Sequence, residues 1–209
     1  MRLQSPSTAR NRDVILTVLR EHAPTSGFAL ETSAGSGEHG VHFASAFPEL
    51  QWQPTDITEA SIASIEAWRA HTGLTNLLSP RRLDVTDQAW PVPADGVDLV
   101  VSINMIHISP WRASVGLFEG AGRTLKPGGV LYTYGPYLVD GQFTSESNER
   151  FEGWLKGLDP EFGQKDLAAL GELAASVGLV REQVIPMPAN NFSVIYRKHR
   201  RLTPTPTHE

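Results

Sequence analysis

The chain has 209 residues, 40% of them hydrophobic and 20% charged, with a net charge of −5 and no cysteine. That profile fits one folded domain with a sizeable core, and gives no overall positive field to draw the chain to nucleic acid or acidic lipid. Lack of cysteine excludes disulfides, zinc–thiolate sites and cysteine-ligated iron–sulfur clusters, and no apolar run is long enough to span a membrane.

Residues 1–9 lack periodicity and read as a flexible arm before a domain spanning 10–199; residues 200–209 read as a flexible tail. The basic run Arg197-Lys-His-Arg-Arg201 beside that tail reads as a solvated terminus. From Asn11, Val14, Ile15, Val18 and Leu19 recur at helical spacing, stopped by Pro24 and Gly27. A short strand is expected at 28–30, then the loop Glu31-Thr-Ser-Ala-Gly35-Ser-Gly37 and a helix ending near Pro48. A strand at 50–54, a helix bearing Ile62, Ile65 and Trp68, and a weak strand at 76–78 follow. Val97-Asp-Leu-Val-Val-Ser-Ile103 is the strongest strand, a nearly continuous apolar run of the kind buried on both faces. A helix over about 111–125 is halted by Lys126-Pro-Gly-Gly129, and a strand over 130–134 is next. Helical patterns at about 147–158 and 165–177 precede two strands, 180–185 and 192–196, joined by a Pro/Asn-rich turn. Repeated strand–helix alternation predicts a doubly wound, mostly parallel α/β sheet of the Rossmann type with an extra N-terminal helix. The short last connection predicts an antiparallel final pair.

In such a sheet, ligands bind beyond the carboxyl ends of the strands. Gly35 and Gly37 would let the first loop approach a ligand closely. Glu31 would suit a cationic ligand, Asp56 would accept both ribose hydroxyls, and Asp84 would accept from an adenine amino group. The string Gly35-Ser-Gly37-Glu-His-Gly40 also matches a dinucleotide fingerprint. Glu38 would then sit beside a pyrophosphate with no compensating base.

These residues, with Leu83-Asp-Val85 and Leu125-Lys-Pro-Gly-Gly129, resemble the motif series of class I S-adenosylmethionine-dependent methyltransferases. Asn104-Met-Ile-His-Ile-Ser-Pro-Trp111, Tyr134-Gly-Pro-Tyr137, the 140–148 stretch and Met187-Pro-Ala-Asn-Asn191 resemble a narrower family, that of methyltransferase-like protein 26. The resemblance implies S-adenosylmethionine as cofactor, with Glu31, Ser33, Gly35, Gly37, His39, Asp56, Ile57, Asp84, Val85, Asn104 and Met105 around it. Ser33 departs from the usual first glycine of the loop, and Val14 from a frequent proline.

On the acceptor side, His107 is the best base candidate by its near-neutral reference pKa; capping or core packing is the alternative. Tyr137 is a second catalytic candidate. Ser109, Trp111 and Tyr134 are expected to line the acceptor pocket, and Asn190 and Asn191 either line it or only shape their turn. His39 and His42 lie one helical turn apart without an evident third ligand, so no metal is expected. The Asn/Asp-Pro-Pro-aromatic string of adenine amino-methyltransferases is missing, so a small-molecule or protein acceptor is expected and nucleic acid is not. A silent cofactor-binding module and a nicotinamide oxidoreductase are the alternatives. A cytoplasmic location is expected, and oligomeric state is not legible.

Overall fold

The computed structural model describes residues 1–199; the expected tail at 200–209 and the end of the basic run lie outside the described residues. The elements are, in order, α1 (Pro6–His22), β1 (Gly27–Thr32), α2 (Glu38–Ala46), β2 (Leu50–Asp56), α3 (Glu59–Thr72) and β3 (Arg81–Arg82). After them come β4 (Val97–Ile103), α4 (Trp111–Thr124), β5 (Leu125–Gly135), β6 (Tyr137–Leu138), α5 (Glu146–Leu158) and β7 (Lys165–Asp166). The last three are α6 (Leu167–Ser176), β8 (Leu179–Met187) and β9 (Asn191–Lys198).

Among the described residues the main sheet runs β3-β2-β1-β4-β5-β9-β8. The pairs from β3 to β5 are parallel, and β9 lies antiparallel between β5 and β8, as the short last connection predicts. Register explains the burial. Leu30 pairs with Val100 and Val100 with Leu131, so all three point to one layer, with Leu117, Phe118 and Tyr196. Their neighbours Ala29, Leu99, Val101 and Tyr132 point to the other layer, with Ile15, Leu19, Phe43 and Trp52. The period-2 alternation of side chains thus feeds two cores from the same central strands. Each fully buried aliphatic side chain contributes roughly 1.5–3 kcal/mol.

Three local expectations change. Residues 1–9 are not loose: Leu3 N donates to Ser64 Oγ at 2.8 Å, Trp68 Nε1 donates to Leu3 O at 2.9 Å, and Ser5 N donates to Glu38 Oε2 at 2.6 Å. Pro6 then opens α1 at the position where its missing N–H costs nothing. The polar composition read as solvent-seeking instead makes long-range bonds to α2 and α3. The Lys126-Pro-Gly-Gly129 stretch is part of β5: Val97 pairs with Leu125 and Leu99 with Val130, so four residues bulge out opposite Asp98. Lys126 Nζ donates to Asp98 Oδ2 at 3.1 Å across that bulge. Finally, the strand expected at 76–78 shrinks to a single bridge between Trp52 and Leu77, and the third parallel strand is the two-residue β3.

Candidate functional site

Two cavities sit over the carboxyl ends of the parallel strands. The first, of about 570 Å³, is bounded by Ser33 and Gly35 after β1, Asp56 and Ile57 after β2, Asp84 and Val85 after β3, and Ile103 and Met105 at β4. The second, of about 780 Å³, is bounded by α1, the 104–108 turn, α5 and the β8–β9 turn. They share Ile108 and lie on either side of the Asn104-Met105 step, with Asn104 in the second cavity and Met105 in the first. Asn104 takes a left-handed φ of 59° there, and its N–H donates to Tyr134 O at 2.8 Å, which ties the β4 exit to β5.

The first cavity is built on left-handed backbone. Ser33, Gly35 and Gly37 have φ of 52°, 56° and 91°. Ser33 holds that conformation against a cost of roughly 1–2 kcal/mol, which is why glycine is the easier residue at this point of such a loop. Asp56 fastens the loop. Its Oδ2 accepts from Gly35 N at 2.9 Å, and its Oδ1 accepts from Thr58 N at 3.0 Å and Thr58 Oγ1 at 3.3 Å. A carboxylate offers about four acceptor positions, so one remains for a ligand hydroxyl. Asp56 thus has a structural role in the loop beside the ribose contact expected of it. Asp84 is held below the usual carboxylate range by the backbone N–H and then the hydroxyl of Thr86, both donating to its Oδ1. Its Oδ2 accepts no hydrogen bond among the described residues, and Asp84 lines the cavity. Ile57, Val85 and Met105 supply apolar walls between the two acids.

Four expected cofactor or acceptor contacts are elsewhere. Glu31 is buried beneath the loop, where its Oε2 accepts from Trp52 Nε1 at 2.7 Å. Burial pushes its carboxyl up to about 8, so it is neutral at pH 7. A Cβ on Gly40 would come within 2.9 Å of that oxygen, so the third glycine of the string makes room for Glu31 rather than for a ligand. Gly37 starts α2, and a Cβ there would meet Ile65 Cα at 2.9 Å: it serves close packing on α3. His39 is buried between α1 and α2, stacked on Phe43, with Nε2 donating to Asn11 Oδ1 at 2.8 Å. Trp111 opens α4 with 43% exposure and lines neither cavity.

The acceptor-side candidates divide as well. His107 lines the second cavity with only 5% exposure, its ring 5.6 Å from Phe151 in an edge contact. Gly135 makes this possible, since a Cβ there would lie 3.1 Å from His107 Nδ1. Burial, and then the charge of Lys165, lower its pKa to about 4, so the ring is neutral at physiological pH. Tyr134 and Asn191 share this cavity. Tyr137 does not: it is 1% exposed and its hydroxyl donates to Thr133 Oγ1 at 2.9 Å inside the core. Ser109 lies in the first cavity rather than the second, and its hydroxyl donates to Ile106 O at 3.3 Å. Asn190 turns away, its carbonyl accepting from Asn148 Nδ2 at 3.0 Å. No cluster able to hold a metal occurs among the described residues.

Sequence reasoning missed Arg10 and Asn11 on α1, Asn148, Phe151 and Trp154 on α5, and Arg112 and Phe162 beside the first cavity. These sit on helices whose polar or aromatic residues read as solvent face or core, and only the packing of α1 and α5 against the sheet end brings them together. No helix among the described residues is long and apolar enough to cross a membrane.

A family described as "Protein of unknown function (DUF938)" matches residues 2–198. Solved structures share the fold at low identity. An O-methyltransferase family protein from Burkholderia thailandensis superposes with a TM-score of 0.77 at 14% identity, over 92% of this chain and 57% of that one. Human N-acetylserotonin methyltransferase, solved in complex with S-adenosylmethionine, gives 0.74 at 18% identity over 92% and 53%. YcgJ from Bacillus subtilis gives 0.69 at 13% identity over 92% and 99%. The chain thus spans little more than half of the first two and nearly all of the third. The architecture is the Rossmann-like methyltransferase fold.

Proposed function

The chain belongs to the DUF938 family, and from its methyltransferase-like fold and the paired cavities we propose that it is an S-adenosylmethionine-dependent methyltransferase acting on a small molecule. The observation that carries the reading is the meeting of an acid-flanked strand-end cavity with a second chamber at the Asn104-Met105 step. The likeness of the 104–111, 134–137, 140–148 and 187–191 strings supports the narrower kinship with the methyltransferase-like protein 26 family.

The first cavity suits a nucleoside. Asp84 Oδ2 would accept from an exocyclic amino group, the free position of Asp56 would accept from one ribose hydroxyl, and Ile57, Val85 and Met105 would flank the base. Among the described residues no basic side chain except Arg112 lines this cavity, so a pyrophosphate would find little to neutralise it, against the nicotinamide alternative. When bound, S-adenosylmethionine supplies a methyl group already activated on a sulfonium, which leaves the protein to align the acceptor. Asn104 and Tyr134 would orient the acceptor heteroatom, and His107, neutral and buried, would accept its proton or hydrogen bond. The size of the second chamber favours a small molecule over a protein side chain presented on a folded surface.

Calorimetry tests the reading. S-Adenosylmethionine and S-adenosylhomocysteine should bind at micromolar to sub-millimolar concentration, and NADH should not. Binding of NADH alone would move the protein to the oxidoreductase class.

A further inference from the structure

The second cavity differs in charge from the molecule that contains it. The chain carries 23 Asp and Glu against 18 Lys and Arg, yet among the described residues no carboxylate lines this chamber and Arg10 is the one Lys or Arg in its wall. Arg10 is exposed on α1 and pairs with no carboxylate among the described residues. Trp154 lines the same chamber, 57% exposed and stacked on Phe151 with ring centroids 5.4 Å apart and planes 16° from parallel. Deeper, His107 and Tyr134 are 5% and 4% exposed. Among the described residues the His107 ring makes no hydrogen bond, so its nitrogens are left for an occupant of the cavity.

The chamber therefore runs from the exposed cation of its wall, past a flat aromatic wall, to a buried polar end. Resting on the methyl-transfer reading, we propose that the acceptor is a small planar monocarboxylic acid, with its acid at Arg10, its body along Phe151 and Trp154, and its nucleophilic heteroatom at the His107–Tyr134 end. A guanidinium matches a carboxylate in shape and charge. One cation balances one negative charge, so a dianionic phosphate would be left half-neutralised. An ammonium acceptor, such as a lysine side chain, would meet Arg10 and find no acid to hold it. The β8–β9 turn closes the chamber with two successive left-handed non-glycine residues, Ala189 (φ 57°) and Asn190 (φ 56°), strain that holds Pro188 and Asn191 against it.

The test uses 4-hydroxybenzoate, its planar neutral isostere 4-hydroxybenzamide, and the cationic 4-hydroxybenzylamine of similar size as probes of different charge. Each is titrated into the full chain with and without S-adenosylhomocysteine and followed by tryptophan fluorescence, with Trp154→Phe as the control that should lose the quench. The acid should bind about tenfold tighter than the amide, the low end for a hydrogen-bonded charge, and the amine weakest. Arg10→Gln should abolish that preference and Arg10→Lys retain part of it, both with an unchanged melting temperature because Arg10 is exposed. Equal binding of acid and amide, or a preference that survives in Arg10→Gln, overturns the proposal. If S-adenosylhomocysteine fails to bind while the acid preference persists, the methyl-transfer reading and the acceptor role fall together, and the chamber is an acid-binding site of another kind.

Discussion

Asp56 joins structure and chemistry in one carboxylate. It accepts three hydrogen bonds from the glycine loop and the start of α3, so Asp56→Ala should lower both cofactor affinity and stability. The stability loss should be about 1–3 kcal/mol, the scale of part-buried hydrogen bonds to a charged acceptor, measured by urea denaturation beside calorimetry. A loss of affinity with unchanged stability would mean that the loop holds itself. Tyr137 gives the contrasting case. Its hydroxyl meets only Thr133, so Tyr137→Phe should cost about 0.5–1.5 kcal/mol of stability and leave transfer rates unaltered. His107→Ala should instead lower turnover by ~10²–10⁴ if the ring takes the proton, with cofactor affinity within about tenfold. Because burial holds that ring at about 4, the acid limb of its pH–rate profile should fall near pH 4 rather than 6.5.

Helices α2 and α3 are set by a glycine, not by their apolar faces alone. Gly37 has φ 91° and no room for a Cβ against Ile65, whereas Gly73 at the end of α3 has φ 65° and nothing within 4 Å of the same added atom. Both Gly→Ala changes incur the left-handed penalty of roughly 1–2 kcal/mol. Only Gly37→Ala should add a packing cost, about 1–3 kcal/mol for an overfilled contact. The difference between the two variants in denaturant midpoint therefore measures the helix–helix approach. Equal losses would show that α2 can move off α3 freely. Strands β1, β2 and β4 were legible because long or regular apolar runs meet a buried sheet. The start of β5 was not, because Pro127, Gly128 and Gly129 have the composition of a turn and the pairing is decided by Val97 across the sheet.

For the whole molecule, buried ionisable groups set the pH window. His39 and His107 are each lowered to about 4, chiefly by burial. Below pH 6.5 the unfolded chain takes up protons that the folded chain refuses, so stability falls from pH 6.5 towards 4. Glu31 works the other way. Its folded carboxyl keeps a proton up to about pH 8 while the unfolded one releases it near 4.5, so stability falls as pH rises between those values. Two histidines outweigh one glutamate below 6.5, and Glu31 acts alone above it, which places the maximum of these three contributions near pH 6.5. Glu31→Gln should remove the decline between pH 6.5 and 8, on the order of 2 kcal/mol, as followed by denaturation midpoints at fixed ionic strength. A decline that persists in Glu31→Gln would assign it to other groups. By itself the sequence determined the alternating α/β architecture, the antiparallel final pair and the strand-end positions of Asp56 and Asp84, because periodicity and loop position are local properties written in neighbouring residues. Only the tertiary structure decided that Glu31, His39 and Tyr137 are core, that Asp56 is also a structural knot, and that Arg10 and Trp154 share a cavity. Those roles depend on which helix packs over the sheet end: the partners of Glu31 and His39 lie 21 and 28 positions away in the chain, and Arg10 and Trp154 come from helices far apart in it.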